Sequence, residues 1–524
     1  MVVPADGGLT VKSVEGFENE SDRDKLVLKT SDSGKKSGTF ILNNDDPCAS
    51  TVYATVKFKP LGKYVPNRTT TETKDTTSPD FGKKIFAEFD WQYIGIPVKE
   101  VVKSPLLKGL KVRAYDEKLN NDKHYYHKWT EVMPTDNMTA FKAYEVAPVL
   151  DGSDAERDIY GKLNLCEQTI ELTRQASVVN ASKATDANAK RYGLGHNIVG
   201  NSFMAGVDIK QLKLESGETG VDMDNTAYLY STGSWADWET NNGQSVKVKG
   251  GYEAVPINLA GDGGTTATIA PMQGFMVKFA NPVHSTTLGK LTIPYKGVKE
   301  DGGELRAKGF TMEGANVDGN IRVRMHNGKV YDKFFLFQRA NTTTDYDNGY
   351  DGDKLNMGEP GIFGSTTDGH NVQVMTVPNI IGSAFSVEVK RGVSYTMDFM
   401  VEGLNYDNLK LVDVRKETVT PLTDNHATYF FEATVDGIEH NRFMFVNTPE
   451  TDFAKVMGSV TGIEGLSITL TKGNAELFNL SGAKVGTFSL PLDAKKLKGQ
   501  VPAGVYLIKA TDGTNVQTSK IVIE

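Results

Sequence analysis

Two cysteines in 524 residues are too few for a disulfide framework, so buried cores have to hold this chain together. Cys48 and Cys166 are open to two readings, one disulfide or two buried thiols, and their spacing suggests no metal site. No run of 18 apolar residues occurs, which excludes a membrane-crossing helix. Long amphipathic patterns at helical spacing are scarce. Cationic excess is lacking too. The net charge of −8 argues against nucleic acid or an anionic membrane as the main partner. Met1-Val2-Val3-Pro4 has neither the charged start nor the apolar stretch of a signal peptide. If the protein is exported, a leader is expected to have been removed ahead of Met1, and the chain is open to being a fragment of something longer.

Catalytic signatures are also missing. There is no HExxH pair for zinc, no G-x-S-x-G elbow, no P-loop and no dinucleotide fingerprint between a strand and a helix. The eight histidines are scattered; His124 and His127 stand three apart in a Lys/Tyr-rich loop with no acidic partner motif. Gly261-Asp262-Gly263-Gly264 lies between two strand-like runs and reads as a hairpin loop, not a phosphate cradle. Carboxylates are numerous enough to leave a glycosidase pair open. The expectation is nevertheless a protein with no chemistry of its own.

What is present points to an all-β chain. Glycine is abundant at 52 residues, and Thr, Asn and Asp crowd the spaces between short β-branched and aromatic runs. TVYATVKF (51–58) alternates in part, as a strand with one buried face does. The length calls for several domains. The fold expected is a series of tandem β-sandwich domains, Ig-like or jelly-roll-like, ending in a small Ig-like β-module. Boundaries are set at 1–160, 161–290, 291–452 and 460–524, with a linker across 448–465.

The first two of these domains read as copies of one unit. FDWQYIGIP (89–97), VRAYD (112–116), Trp129 and MTAFKAYEV (138–146) follow one another in the first. GHNIVGNSF (195–203), AYLY (227–230), Trp235 with Trp238, and IAPMQGFMV (269–277) follow in the second. Each series runs from a strand ending in Gly, through a Tyr strand and a Trp loop, to a strand with Phe after Gly or Ala. This wording resembles the "WNLIGNPY…IPPMQGFFVK" modules of large Bacteroidota surface proteins, closely in the second copy and loosely in the first. Those modules imply non-catalytic β-domains that precede a sorting tail.

The closing stretch, AELFNLSGAKVG and VPAGVYLIKATDGTNVQTSKIVIE, reads as five or six short antiparallel strands. It resembles the C-terminal sorting domain of cargo of the type IX secretion system. Leu477, Asn479, Gly482, Val485, Gly504, Val505, Tyr506 and Lys509 match that pattern. The Pro-Asn-Pro opening common in such tails is absent, and Thr461-Gly462-Ile463-Glu464-Gly465 stands there instead. The resemblance implies export, with the secretion and sorting machinery as partner of the tail.

Two sites are candidates. Asp345, Asp347, Asp351 and Asp353 surround a Gly turn and suit a structural calcium ion, although the closing Glu of an EF-hand is missing. The alternative is a solvated Asp/Gly turn; no other cofactor is expected. Trp129, Trp235 and Trp238 stand at equivalent loops, where exposed rings would stack on sugars or anchor partners, and buried rings would plug a sandwich. The function expected is a secreted or surface-displayed β-scaffold, structural or adhesive, in contact with host matrix, glycan or other copies of itself. The alternative is an accessory, carbohydrate-binding region of a larger secreted hydrolase.

Overall fold

Alternation along the chain decides the architecture. In Leu110–Tyr115, Leu110 and Val112 are buried while Lys111 and Arg113 are partly exposed, the period-two pattern of a strand with one inward face. The computed structural model describes residues 1–61, 63–64, 89–102, 107–119, 128–148, 155–174, 195–219, 221–231, 251–280, 287–303, 319–328, 330–355, 358–422, 426–461, 470–479, 483–492, 497, 500–502, 504–513 and 516–523. Nearly all of its regular structure is β, in many sheets, as tandem β-sandwich domains require. Two compact units emerge, 1–261 with 266–309, and 262–265 with 310–524. Both repeat copies therefore fall in the first unit. The strand Thr287–Ile293, across the boundary expected at 290, belongs to it as well.

The repeat is visible in the strand order. In the first copy, Tyr53–Phe58 pairs antiparallel with Arg157–Lys162 and encloses a four-stranded sheet. That sheet runs Gln92–Ile94, Tyr144–Pro148, Leu110–Tyr115, Trp129–Glu131. In the second copy, Gln168–Arg174 pairs antiparallel with Thr287–Ile293. The sheet inside runs His196–Gly200, Gly274–Lys278, Thr226–Ser231, Gly251–Pro256. The order is first, last, second, third in both. Each copy also has a small antiparallel pair at the same place in the chain, Glu100–Val102 with Asn137–Thr139, and Val207–Asp208 with Thr268–Ile269.

The copies clasp one another reciprocally. Ile94 bridges to Gln273, and Val199 to Lys142. The Gly95 N–H donates to the Met272 carbonyl at 2.9 Å, and the Gly200 N–H to that of Phe141 at 3.4 Å. Phe141 and Met272 hold the same left-handed backbone, φ 62° and 64°. Backbone meets backbone here: a Cβ on Gly95 would lie 2.7 Å from the Asn201 carbonyl oxygen, and one on Gly200 would strike Gly95 itself. That close approach is why both landmark strands end in Gly. One core serves both copies, with Val56, Ile94, Val146, Leu229, Phe275 and Leu291 all buried in it. Cys48 and Cys166 form a disulfide, which settles their two readings.

In the second unit one long sheet carries the sandwich. From edge to edge it runs Thr418–Pro421, Leu409–Asp413, Gly437–Asn447, Ala384–Val389, Gly361–Ser365, Asn371–Val377, Tyr331–Gln338, Asn320–His326, Ser394–Glu402 and His426–Glu432. The sheet curls until its edges meet: Thr418 Oγ1 lies 3.2 Å from the Tyr429 hydroxyl. An aromatic core fills it, with Phe385 stacked on Phe443 at 5.3 Å and Tyr395 on Phe431 at 5.3 Å. An α-helix, Phe453–Thr461, packs Val456 and Met457 against Val412, Met444 and Val446. It occupies part of the stretch read from sequence as a linker. Among the described residues the tail forms a four-stranded antiparallel sheet, Lys484–Ser489, Asn474–Asn479, Gly504–Thr511, Val516–Ile523, where five or six strands were expected.

Candidate functional site

Trp129 is buried, with 7% of its surface exposed. It sits directly across from Tyr115 on the neighbouring strand, and its indole lies 5.1 Å from the rings of both Tyr115 and Tyr93. Tyr230 and Tyr252 are opposed in the same way in the second copy. Tyr93 joins the two pairs by stacking on Tyr230 at 4.3 Å. An open platform for sugar at Trp129 is therefore corrected to an aromatic plug between the copies. Trp235 and Trp238 lie outside the described residues. Sequence order marks Tyr115 and Tyr230 as landmarks of the two copies, whereas Tyr252 joins the plug only through the fold. The shared register of Tyr115 and Tyr230 was the signal available.

A polar row crosses the first copy beside this plug. Glu145 faces Tyr93 on one side and Arg113 on the other, and the guanidinium also lies 4.0 Å from the Trp91 ring centre. Burial pushes the Glu145 carboxyl up to about 8, against the pull of Arg113. In the second copy the matching row is Ile198, Met276 and Tyr228, so the charge there is replaced by apolar contact. A second buried carboxylate ties the copies together. Glu117 accepts from Thr173 Oγ1 at 2.8 Å and from the Gly195 N–H at 3.1 Å, and pairs with Lys128 at 3.4 Å. Burial pushes the Lys128 ammonium down. These groups are occupied with one another and act as fasteners.

The acidic loop of the second unit is held by hydrogen bonds. Asp345 accepts from Thr367 Oγ1, and Asp347 accepts from the Thr343 N–H at 2.5 Å. Asp351 is fully buried and accepts two backbone N–H bonds, from Asp347 at 2.7 Å and Thr376 at 2.6 Å. Asp353 meets His370 Nδ1 at 3.0 Å. The four carboxylates thus turn to separate partners instead of toward one centre. Among the described residues, no three His, Cys, Asp or Glu side chains gather as a metal site. Burial, helped by Asp347 and Asp368, pushes Asp351 up to about 8 despite its two N–H donors.

The residues picked out in the tail are explained by its local structure. Leu477 and Tyr506 are buried in its core, and the Tyr506 hydroxyl donates to the Pro502 carbonyl at 2.8 Å. Asn479 closes the turn: its side-chain oxygen accepts from the Ala483 N–H at 2.7 Å. Gly504 and Val505 pair with Ile523 and Val522, and Lys509 is exposed opposite Glu476. Gly482 lies outside the described residues. In the first unit a cleft of about 1090 Å³ opens beside the disulfide, lined by Lys12, Leu42, Asn44, Cys48, Tyr295 and Lys299 among others. Its charges are mixed, and the Tyr295 hydroxyl on its wall accepts the Leu42 N–H at 2.9 Å.

Among curated proteins, the chain is similar to the minor fimbrium subunit Mfa5 of Porphyromonas gingivalis, at 24% identity over 457 residues. That alignment covers 83% of this chain and 35% of the relative, so the chain spans about a third of that protein's length. No protein-family description matches the chain, and no solved structure does.

Proposed function

We propose that this chain is a non-catalytic structural or adhesive component of a bacterial surface assembly. The observation that carries the reading is the likeness, along 83% of the chain, to a protein named as a fimbrium subunit. Two duplicated β-sheets sharing one core suit a scaffold, since their buried charges are spent on fastening the copies together. Other copies of the chain, host matrix or a glycan would be the outward contacts. The tail, whose sequence resembles a type IX sorting domain, would serve the export machinery. Its compact sheet with a core of its own is consistent with recognition as a folded signal.

The test is location and intact mass in the native organism. Surface fractions are expected to hold the protein, and deletion of residues 470–524 is expected to leave it inside the cell. Surface display of the truncated chain would remove the role of the tail. Absence of the protein, with or without its tail, from surface fractions and sheared appendages would remove the whole reading, and the intact mass tells whether the tail is retained.

A further inference from the structure

The internal repeat allows one copy to be read against the other, and at one sheet edge they differ. In the first copy, the strand Tyr53–Phe58 is bonded on both sides. Arg157–Lys162 lies on one side, and the short strand Val27–Leu28 runs parallel to it on the other. The Thr55 N–H donates to the Leu26 carbonyl at 2.9 Å, and the Tyr53 N–H to that of Phe17 at 2.8 Å. Leu26 and Leu28 are fully buried by this seat.

The equivalent strand of the second copy is Gln168–Arg174. Its closing strand is Thr287–Ile293, where Ile170 faces Leu291 and Thr169 faces Thr292, as Val56 faces Ile159 and Thr55 faces Tyr160 in the first copy. Gln168–Arg174 is the last strand on its side of a three-stranded sheet. The Thr173 N–H donates to Asn197 Oδ1 at 3.0 Å, and the Thr173 carbonyl accepts from Asn197 Nδ2 at 3.0 Å. The backbone groups of Thr173 therefore point away from the sheet, and the alternation of an antiparallel ladder sends those of Glu171 and Thr169 the same way. Among the described residues no strand meets them. Both side chains are exposed, and Ile170 between them is only partly buried.

We propose that this edge seats an extended segment of a partner protein, running parallel to Gln168–Arg174 and extending its sheet by one strand. The chemistry of the segment follows from the filled site in the first copy: aliphatic residues two apart, as Leu26 and Leu28 are. Charge points to its flanks. Glu167 and Glu171 are exposed on either side of Thr169, so basic flanks are favoured, as Lys25 and Lys29 flank Leu26–Leu28. The Glu171 pair with Lys118, at 3.2 Å and with both side chains more than half exposed, offers little resistance. The main-chain ladder would supply affinity, and the alternate side chains specificity.

The probe is a labelled peptide with the sequence of residues 24–30, DKLVLKT, added to the full chain. Saturable binding is expected, with slowed hydrogen exchange at the Thr169 and Glu171 amides. Thr169→Pro removes one outward N–H and leaves the ladder to Thr287–Ile293 intact, so the chain should stay folded and bind at least tenfold more weakly. Glu171→Lys should weaken binding as well, and salt should do the same. Several results overturn the proposal: no binding, binding indifferent to Thr169→Pro, or amides already slow in the chain alone. A chain that dimerises through this edge, and is made monomeric by Thr169→Pro, would put a second copy there instead and overturn it too.

Discussion

Arg442 carries a full charge into the second unit where water scarcely reaches: its side chain is 2% exposed. Asp413 receives two of its N–H groups, at 3.1 and 2.8 Å, and Glu439 a third at 2.6 Å. The guanidinium also lies 4.2 Å from the Phe431 ring centre. Burial works against this charge, and the bonds to Asp413 and Glu439 outweigh it, holding Arg442 above its usual range. Arg442→Met would leave Asp413 without its buried cation, although the Arg415 and Lys416 N–H groups and the Tyr429 hydroxyl still donate to it, and would leave Glu439 with Arg415 alone, at a cost of about 3 kcal/mol in denaturant unfolding. Arg442→Met with Asp413→Asn should cost less than the two single changes added together. Asp351 gives the pH test. Raised from 3.8 to about 8, it keeps a proton in the folded chain that it lacks when unfolded. Its contribution to stability is therefore complete below pH 3.8, falls as pH rises from there and is gone above about 8. Asp351→Asn cannot accept both backbone bonds, so it should unfold more easily in acid. The gap to the native chain should narrow as pH rises to 8; a constant gap would refute the assignment.

Single strands were legible because alternation and β-branching mark them without any knowledge of neighbours. The duplication was legible too, since Gly95 and Gly200, then Tyr115 and Tyr230, keep their order along the chain. What could not be read was the pairing. First, last, second, third is set by packing between residues far apart in sequence, as is the exchange of Ile94 and Val199 across the copies. The plug around Trp129 spans the same distance, because two of its five rings, Tyr230 and Tyr252, come from the second copy. The helix Phe453–Thr461 was within reach. Asp452 precedes it, and its carboxylate accepts the Lys455 N–H at 3.0 Å, as an N-cap does. Phe453, Val456 and Met457 also share one face. Turn-forming neighbours hid it. Asp452→Ala should cost about 1 kcal/mol in thermal or urea unfolding, and Asp452→Asn much less.

At the level of the whole molecule, two units with separate cores should melt as separate transitions in a calorimeter. The disulfide belongs to the first and closes a loop across a separation of 118 residues. Cys48→Ser with Cys166→Ser should therefore lower only the first transition, by about 4–5 kcal/mol on the chain-entropy scale. Coincident loss of both transitions would mean that the units unfold as one.

A chain in the surface role proposed above would also be pulled upon, and the bridge decides what would feel the pull. Tension entering near the start of the chain reaches Cys48, passes through sulfur to Cys166 and continues toward the tail. Residues 49–165, which contain the strands of the first copy from Tyr53–Phe58 to Arg157–Lys162, lie off that path. Stretched singly between its ends, the oxidised chain should come up short by roughly 400 Å, the reach of that many extended residues. Adding a reductant should release the missing length, and the first copy would begin to bear load only then.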